Sequence, residues 1–315
     1  MNKKDIKIIF IGSANFSVLI LKMLIKEYSV QLVITEEDKI AGRGKKISSP
    51  PTKLIAIENQ IPCTQPEKVK NNQELFNQIR DLHPTILIVA AYGKLLPKEI
   101  LEMTKFGCLN VHPSLLPKYR GPSPIQTVLL NGENKTGVSI MLLNSAMDEG
   151  EILIQEEMPI NSDEIYAELE EKLTIKSTEI LDMILPRYIN HEVELLKQNS
   201  LEATYCYKID KLDGKINFSN SAQDIYNQYR AYKSWPGIYC FYKKLKLDLI
   251  EVQNVLVEEI DNYKPGEVFK KNKAIYIKCQ DSALELIKVR LESKKETSIL
   301  DFLNGHKDFV GAVLE

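Results

Sequence analysis

The sequence predicts an α/β protein: a doubly wound, mostly parallel Rossmann-like sheet followed by a smaller C-terminal β-barrel domain. Three observations lead there. Between residues 6 and 188, short continuous apolar runs alternate with amphipathic stretches, as strands covered on both faces by helices should. Beyond residue 203 the chain breaks into shorter strand-like runs punctuated by turn residues, the pattern of a small barrel. A length of 315 residues also exceeds what most single cores hold and suits two domains.

Taken in order, Ile6–Ile11 reads as a strand, apolar but for Lys7. Gly12 makes the turn, and Asn15 is placed to cap a helix whose Val18, Leu21, Leu24 and Ile25 share one face. Val30–Ile34 reads as the second strand, Ser49–Asn59 and Gln73–Asp81 as helices, and Thr85–Ala91 as another buried strand. Gly107–His112 follows, then a helix over Pro124–Leu130, the β-branched and apolar strand Thr136–Leu143, and a long helical pattern over Ile165–Tyr188. The periodicity then fades through His191, Gln198, Asn199 and Ser200. The expected organisation is therefore a domain over 1–188, a linker over 189–203 and a second domain over 204–315. In the latter, a helix over Ala222–Tyr232 stops at Ser234-Trp235-Pro236-Gly237. Strands are expected over Ile238–Tyr242, Leu245–Val252, Glu267–Phe269, Ala274–Cys279 and Ala283–Leu291. The spacing of Tyr226, Tyr229, Tyr232 and Trp235 suits core packing better than a base-stacking face.

Composition narrows the function classes. Apolar residues make up 44% and charged residues 27% of the chain, with a net charge of −2, ordinary values for a soluble globular protein. Residues from 208 onward carry 18 basic and 16 acidic side chains, a slight positive bias too small to decide anything alone. The five cysteines are widely spaced and form no C-x-x-C pair, which suits reduced thiols in the cytoplasm. No apolar run is long enough to span a bilayer, and the start is too charged for a signal peptide. No membrane association is expected.

Several chemistries are disfavoured. Gly12-Ser13-Ala14-Asn15-Phe16-Ser17 has one glycine where a dinucleotide fingerprint needs three, and Gly42-Arg43-Gly44-Lys45-Lys46 lacks P-loop spacing. No nucleotide cofactor is expected. Neither is a metal: there is no H-E-x-x-H, and Cys108 and His112 stand on a strand. His83, His191 and His306 fall at element ends or in loops, where solvated side chains are the ordinary outcome.

The informative stretch is Cys108–Gly121. Alternation along a strand puts Cys108, Asn110 and His112 on one side and Leu109 and Val111 on the other. Pro113 ends the strand, so an amide and an imidazole project from its carboxyl end, where open α/β sheets place their ligands. Met147-Asp148-Glu149-Gly150 follows the next apolar strand. If that strand is parallel, both ends lie on one edge and Asp148 comes within reach of His112. A carboxylate beside an imidazole orients it and favours its protonated form. Amide donor, acid/base and carboxylate together suit acyl transfer without a covalent enzyme intermediate. The residues alone name no substrate.

The run Asn110-x-His112-Pro113-Ser114-Leu115-Leu116-Pro117-Lys118-Tyr119-Arg120-Gly121, with Asp148-x-Gly150 downstream, resembles the 10-formyltetrahydrofolate-dependent formyltransferases. The likeness extends over nearly the full length. It is also carried by Ala41–Lys46, by Val89-Ala90-Ala91-Tyr92-Gly93 with Leu96-Pro97, and by Thr204-Tyr205, Lys208 and Trp235-Pro236. The resemblance implies catalytic roles for Asn110, His112 and Asp148. It also implies folate contacts at Ser114, Leu115, Leu116 and Pro117, and tRNA contacts at Arg43, Lys45 and Lys46. It further implies 10-formyltetrahydrofolate as co-substrate, the α-amine of initiator methionyl-tRNA as acceptor, and an OB-like second domain that helps hold the tRNA; a monomer is expected. Glu36-Glu37-Asp38-Lys39-Ile40 stands where prolines and a further arginine are common in the family, and Gly12-Ser13-Ala14-Asn15-Phe16 replaces Gly-Thr-Pro-Asp-Phe. The strongest rival within the family is a sugar-nucleotide N-formyltransferase with the same three residues; glycinamide ribonucleotide formyltransferase shares the motif but has no comparable second domain. Outside enzymes, a folate- or RNA-binding protein on this scaffold has no need of the complete set.

Overall fold

Ile8, Ile9, Phe10 and Ile11 are each wholly buried, which is why β1 (Lys7–Gly12) takes the centre of a sheet covered on both faces. The computed structural model describes residues 2–41 and 46–315, which fall into two compact units. The first comprises Met1–Pro124, Lys135–Pro159 and Glu170–Tyr207; the second comprises Ile125–Asn134, Ile160–Leu169 and Lys208–Glu315.

After β1 come α1 (Phe16–Glu27), β2 (Ser29–Ile34), β3 (Lys39–Ala41), β4 (Lys46–Ser48), α2 (Pro51–Glu58) and β5 (Cys63–Thr64). Next are α3 (Gln73–Asp81), β6 (Ile86–Ala90), α4 (Lys98–Leu101), β7 (Cys108–His112), α5 (Pro124–Leu130), β8 (Lys135–Leu142), β9 (Ile152–Pro159) and α6 (Tyr166–Ile189). The main sheet runs β5-β2-β1-β6-β7-β8-β9. Its first five strands are parallel, while β8 is antiparallel to β7 and β9 to β8. The parallel relation expected for the strand before Asp148 is thus corrected: its register pairs Leu109 with Leu142 and His112 with Ser139. The long connection over residues 113–134, which contains α5, brings the chain back along β7 in that direction, and β9 was not foreseen.

Two local expectations also change. Asn15 is αR and makes no side-chain capping bond. Instead α1 opens through a turn in which Ser17 N donates to Ala14 O, and its buried face is Phe16, Ile20 and Leu24 with Ser17 and Leu21. Gly12 belongs to packing, since a Cβ there would lie 2.4 Å from the Ala90 carbonyl.

Residues 190–207, polar in sequence, are hydrogen-bonded along the first unit. Leu196 and Ile152 exchange backbone bonds at 2.8 and 2.9 Å, Arg120 N donates to Thr204 O at 2.9 Å, and Cys206 N donates to Arg120 O at 2.8 Å.

The second unit holds α7 (Ala222–Tyr232), β10 (Ile238–Tyr242), β11 (Leu245–Val255), β12 (Val268–Lys271), β13 (Ala274–Lys278), β14 (Ala283–Leu291), β15 (Thr297–Ser298) and α8 (Ile299–Gly305). Its antiparallel sheet runs β10-β11-β14-β13-β12, with β15 on β14. Among the described residues no strand pairing joins β10 to β12, so the ladder is open rather than a closed barrel. The chain end bridges the gap: Gly311 N donates to Val268 O and Val268 N to Ala312 O, while Phe241 and Glu315 exchange backbone bonds. Tyr229 and Tyr232 are buried as expected, but Trp235 is 49% exposed.

Candidate active site

The site forms where the main sheet changes from parallel to antiparallel. Asn110 lies level with Val89 on the parallel neighbour β6 and with Met141 on the antiparallel neighbour β8. Because β8 runs the other way, its end lies beside the start of β7, and the chain must turn back to reach His112. It does so over residues 143–151. Leu143 N donates to Cys108 O and Leu142 N to Glu151 O, each at 2.8 Å. Gly150 permits the fold-back: a Cβ there would sit 1.7 Å from the Leu142 carbonyl oxygen. Asp148 occupies the left-handed region with φ of 53°, a conformation aspartate tolerates better than most residues.

The three predicted groups converge. Asn110 Nδ2 donates to Asp148 Oδ1 at 3.4 Å. Asp148 Oδ2 accepts from Gly121 N at 2.8 Å and stands 3.9 Å from His112 Nδ1. The His112 ring is buried, and its Nε2 is 3.0 Å from the Tyr119 carbonyl. A carbonyl only accepts, so Nε2 carries the proton and Nδ1 is the ring atom turned toward the carboxylate. The arrangement offers an amide donor, an orientable imidazole and an anion at one strand end. Burial pushes the Cys108 thiol far up, so it supplies no thiolate.

Ser114 and Leu116 are buried, whereas Leu115 and Pro117 are partly exposed. Ser114 Oγ donates to Lys118 O at 2.7 Å, and Leu116 N donates to Ser139 Oγ at 3.1 Å. Leu116 packs with Met141 and Ile152. In this segment the polar groups brace the loop against β8. Arg43 and Lys45 lie outside the described residues, and Lys46 opens β4, which forms an antiparallel ribbon with β3. Lys39 is paired with Glu36 at 2.5 Å, and Asp38 with Lys53 at 2.7 Å.

Sequence reasoning missed several residues. Arg120 is 1% exposed; its Nε and Nη2 donate to Gln198 Oε1 at 3.1 and 2.9 Å, and its Nη1 is 3.0 Å from Glu149 Oε1. Gln198 Nε2 donates to the carbonyls of Asp148 and Gly150, both at 2.8 Å. The Tyr92 hydroxyl is the one buried side-chain polar atom without a partner among the described residues; burial, with Glu36 and Glu37 nearby, pushes it up to about 12. Lys94 and Leu95, following β6, line a cavity of about 390 Å³ with Lys68, Val69, Lys70 and Asn71. Among the described residues there is no group of three or more His, Cys, Asp or Glu arranged to hold a metal, and no helix long and apolar enough to cross a membrane.

An α/β sheet carrying amide, imidazole and carboxylate at one strand end, with a separate antiparallel unit behind it in sequence, is the scaffold of a group-transfer enzyme. The chain belongs to the formyl transferase family: the formyl transferase domain matches residues 6–185 and the formyl transferase C-terminal domain residues 208–307. It is 38% identical over 310 residues to the methionyl-tRNA formyltransferase of Caldicellulosiruptor saccharolyticus, covering 98% of this chain and 99% of that one. With the methionyl-tRNA formyltransferase of Caldanaerobacter subterraneus subsp. tengcongensis it shares 39% over 312 residues, covering 98% and 100%. Among solved structures, the sugar 3N-formyl transferase WlaRD, determined in the presence of dTDP and 5-N-formyl-THF, superposes with a TM-score of 0.65 at 21% identity, covering 92% of this chain and 99% of that one. The N-formyltransferase of Helicobacter canadensis, in complex with folinic acid and dTDP-3-aminofucose, gives 0.63 at 22% identity, covering 89% and 98%. These two share the fold.

Proposed function

We propose that this chain transfers the formyl group of 10-formyltetrahydrofolate to the α-amine of initiator methionyl-tRNA. The observation that carries the reading is the meeting of Asn110, His112 and Asp148 at the end of β7, in a chain close to 40% identical to methionyl-tRNA formyltransferases over almost its whole length.

A free α-amine titrates near pH 7.7–8.0, so near neutrality a usable fraction is already nucleophilic. The amine nitrogen attacks the formyl carbon and the carbonyl becomes an oxyanion. Asn110 Nδ2–H and, when the ring is protonated, His112 Nδ1–H donate to that oxyanion. Tyr119 O keeps the Nε2–H, so the ring need not turn between states. Asp148 stabilises the imidazolium and, directly or through a water, takes the proton leaving the amine. The bond to the folate nitrogen then breaks as that nitrogen accepts a proton, giving tetrahydrofolate and formylmethionyl-tRNA. No acyl-enzyme forms.

Around this centre, Ser114, Leu115, Leu116 and Pro117 flank the folate. Residues 1–188 form the catalytic domain and 204–315 the domain that holds tRNA, with Arg43, Lys45 and Lys46 on its phosphates. The chain acts as a monomer in the cytoplasm, in keeping with its five free cysteines. One assay tests the reading. Purified protein is given 10-formyltetrahydrofolate with charged initiator tRNA and, separately, with amino-sugar nucleotides; the methionyl-tRNA becomes formylated. Formylation of the amino sugar alone would transfer the assignment to the sugar-modifying branch of the family.

A further inference from the structure

We propose that Arg120 and Gln198 are positioning residues that hold the Asp148 turn in its working conformation, an inference that rests on the catalytic reading of Asp148. The polar chemistry admits one orientation. A guanidinium only donates, so the Gln198 amide oxygen must face Arg120, as it does with two bonds of 3.1 and 2.9 Å. That turns the Gln198 NH2 outward, toward two groups that only accept: the carbonyls of Asp148 and Gly150, each at 2.8 Å. Reversing the amide would set NH2 against guanidinium and oxygen against two carbonyls at once.

The residue between those carbonyls is tied to the same arginine, since Arg120 Nη1 pairs with Glu149 Oε1 at 3.0 Å. Residues 148, 149 and 150 are thus each fastened to one buried cation, directly or through Gln198. The turn needs the fastening, because Asp148 sits at a φ of 53°, a conformation that persists only when its surroundings enforce it. The other side of the carboxylate is fixed by the residue next to Arg120 in sequence, through Gly121 N. Gln198, from the polar stretch that sequence alone marks as a linker, therefore sets where Asp148 stands relative to Asn110 and His112 without touching a reacting atom.

Gln198→Glu is the discriminating variant. It keeps the side chain's size and its partner Arg120, yet replaces the donating NH2 with oxygen against two carbonyls. Arg120→Lys is the second variant: it keeps the charge but loses the fork that serves Gln198 and Glu149 together. Both are compared with wild type and Asp148→Asn by hydrogen–deuterium exchange and steady-state formylation of methionyl-tRNA. We expect faster exchange confined to the 143–151 peptides and the Gly121 amide. We also expect kcat to fall about 10–100-fold while KM for either substrate stays within about twofold. Unchanged exchange in 143–151, or a wild-type kcat in Gln198→Glu, overturns the proposal even if Asp148→Asn is inactive. A raised KM with unchanged kcat overturns it as well, making Gln198 a substrate contact. Wild-type turnover in Asp148→Asn removes the catalytic reading itself, and the positioning role with it, whatever the exchange data show.

Discussion

The backbone amide of Gly121 donates to Oδ2 of Asp148 at 2.8 Å, tying the proline-bracketed loop after β7 to the turn before β9. Gly121 is at φ 119°, and a Cβ there would lie 2.4 Å from the Cys206 carbonyl. The loop therefore passes this close to the Cys206 backbone only with glycine at this position. Asp148→Asn keeps an oxygen for this amide but loses the charge that faces His112. We expect the thermal midpoint to change little and turnover to fall about 10²–10⁴-fold, the range a general acid–base group supplies. Single-turnover formylation with saturating tRNA measures it; a rate near wild type would sink the role of Asp148.

Asn110 carries a separate expectation. Its amide rests on Asp148 Oδ1 at 3.4 Å, a long bond that leaves the second N–H available to a developing oxyanion. Asn110→Ala should lower kcat about 10²–10³-fold, or about 2.7–4 kcal/mol of barrier, because an oxyanion donor acts mainly in the transition state. A rise in KM alone would show instead that the amide serves ground-state binding.

Asn110, His112 and the end of β7 were legible because alternation and Pro113 are local facts. The parallel strands were legible for the same reason, as buried runs such as Ile86–Ala90 have few other readings. The direction of β8 was not, since Thr136–Leu143 is equally apolar in either orientation and the partner that fixes it, β9, is an edge strand. From Gln155 to Pro159 its burial alternates between half-buried and exposed, with Glu156 and Glu157 inside it, and such a strand reads as polar loop. Asp148 reached His112 by a route other than the expected one, through a fold-back made possible by Gly150. Arg120 and Gln198 were hidden more deeply. A buried arginine looks like any basic residue in sequence, and its glutamine partner stands 78 positions away in a stretch whose polarity suggests only solvent.

In the second unit, Asp281 Oδ1 accepts from Ala222 N at 2.8 Å, adding to the Ser221 cap at the start of α7. That backbone bond, more than any other influence, holds the Asp281 carboxyl below its usual range. A group whose folded pKa is depressed stabilises the fold above its unfolded pKa, near 3.9, and that contribution is lost as pH falls through the folded value. Asp281→Ala should cost about 0.5 kcal/mol near pH 7, the low end for a lost cap because the carboxyl is largely exposed. The difference from wild type should hold from pH 7 to about 5 and shrink below about 4. Urea midpoints at pH 7, 5 and 3.5 check this; a gap that widens in acid contradicts it.

The last prediction concerns the basic segment Arg43-Gly44-Lys45-Lys46. Its neighbours on the β3 side are acidic, and in the described residues they are already engaged: Glu36 with Lys39, and Asp38 with Lys53 and Gln65. If the three contact tRNA phosphates, each releases about one condensed counterion on binding, and affinity falls with added salt along a straight log–log line. Replacing any one by alanine should weaken methionyl-tRNA binding at low salt and make that slope shallower by about 1. The folate KM should not move, because no folate contact is altered. Filter binding across a salt series measures both quantities. A weakened affinity with an unchanged slope would mean that the segment orders the protein's own surface rather than touching phosphate.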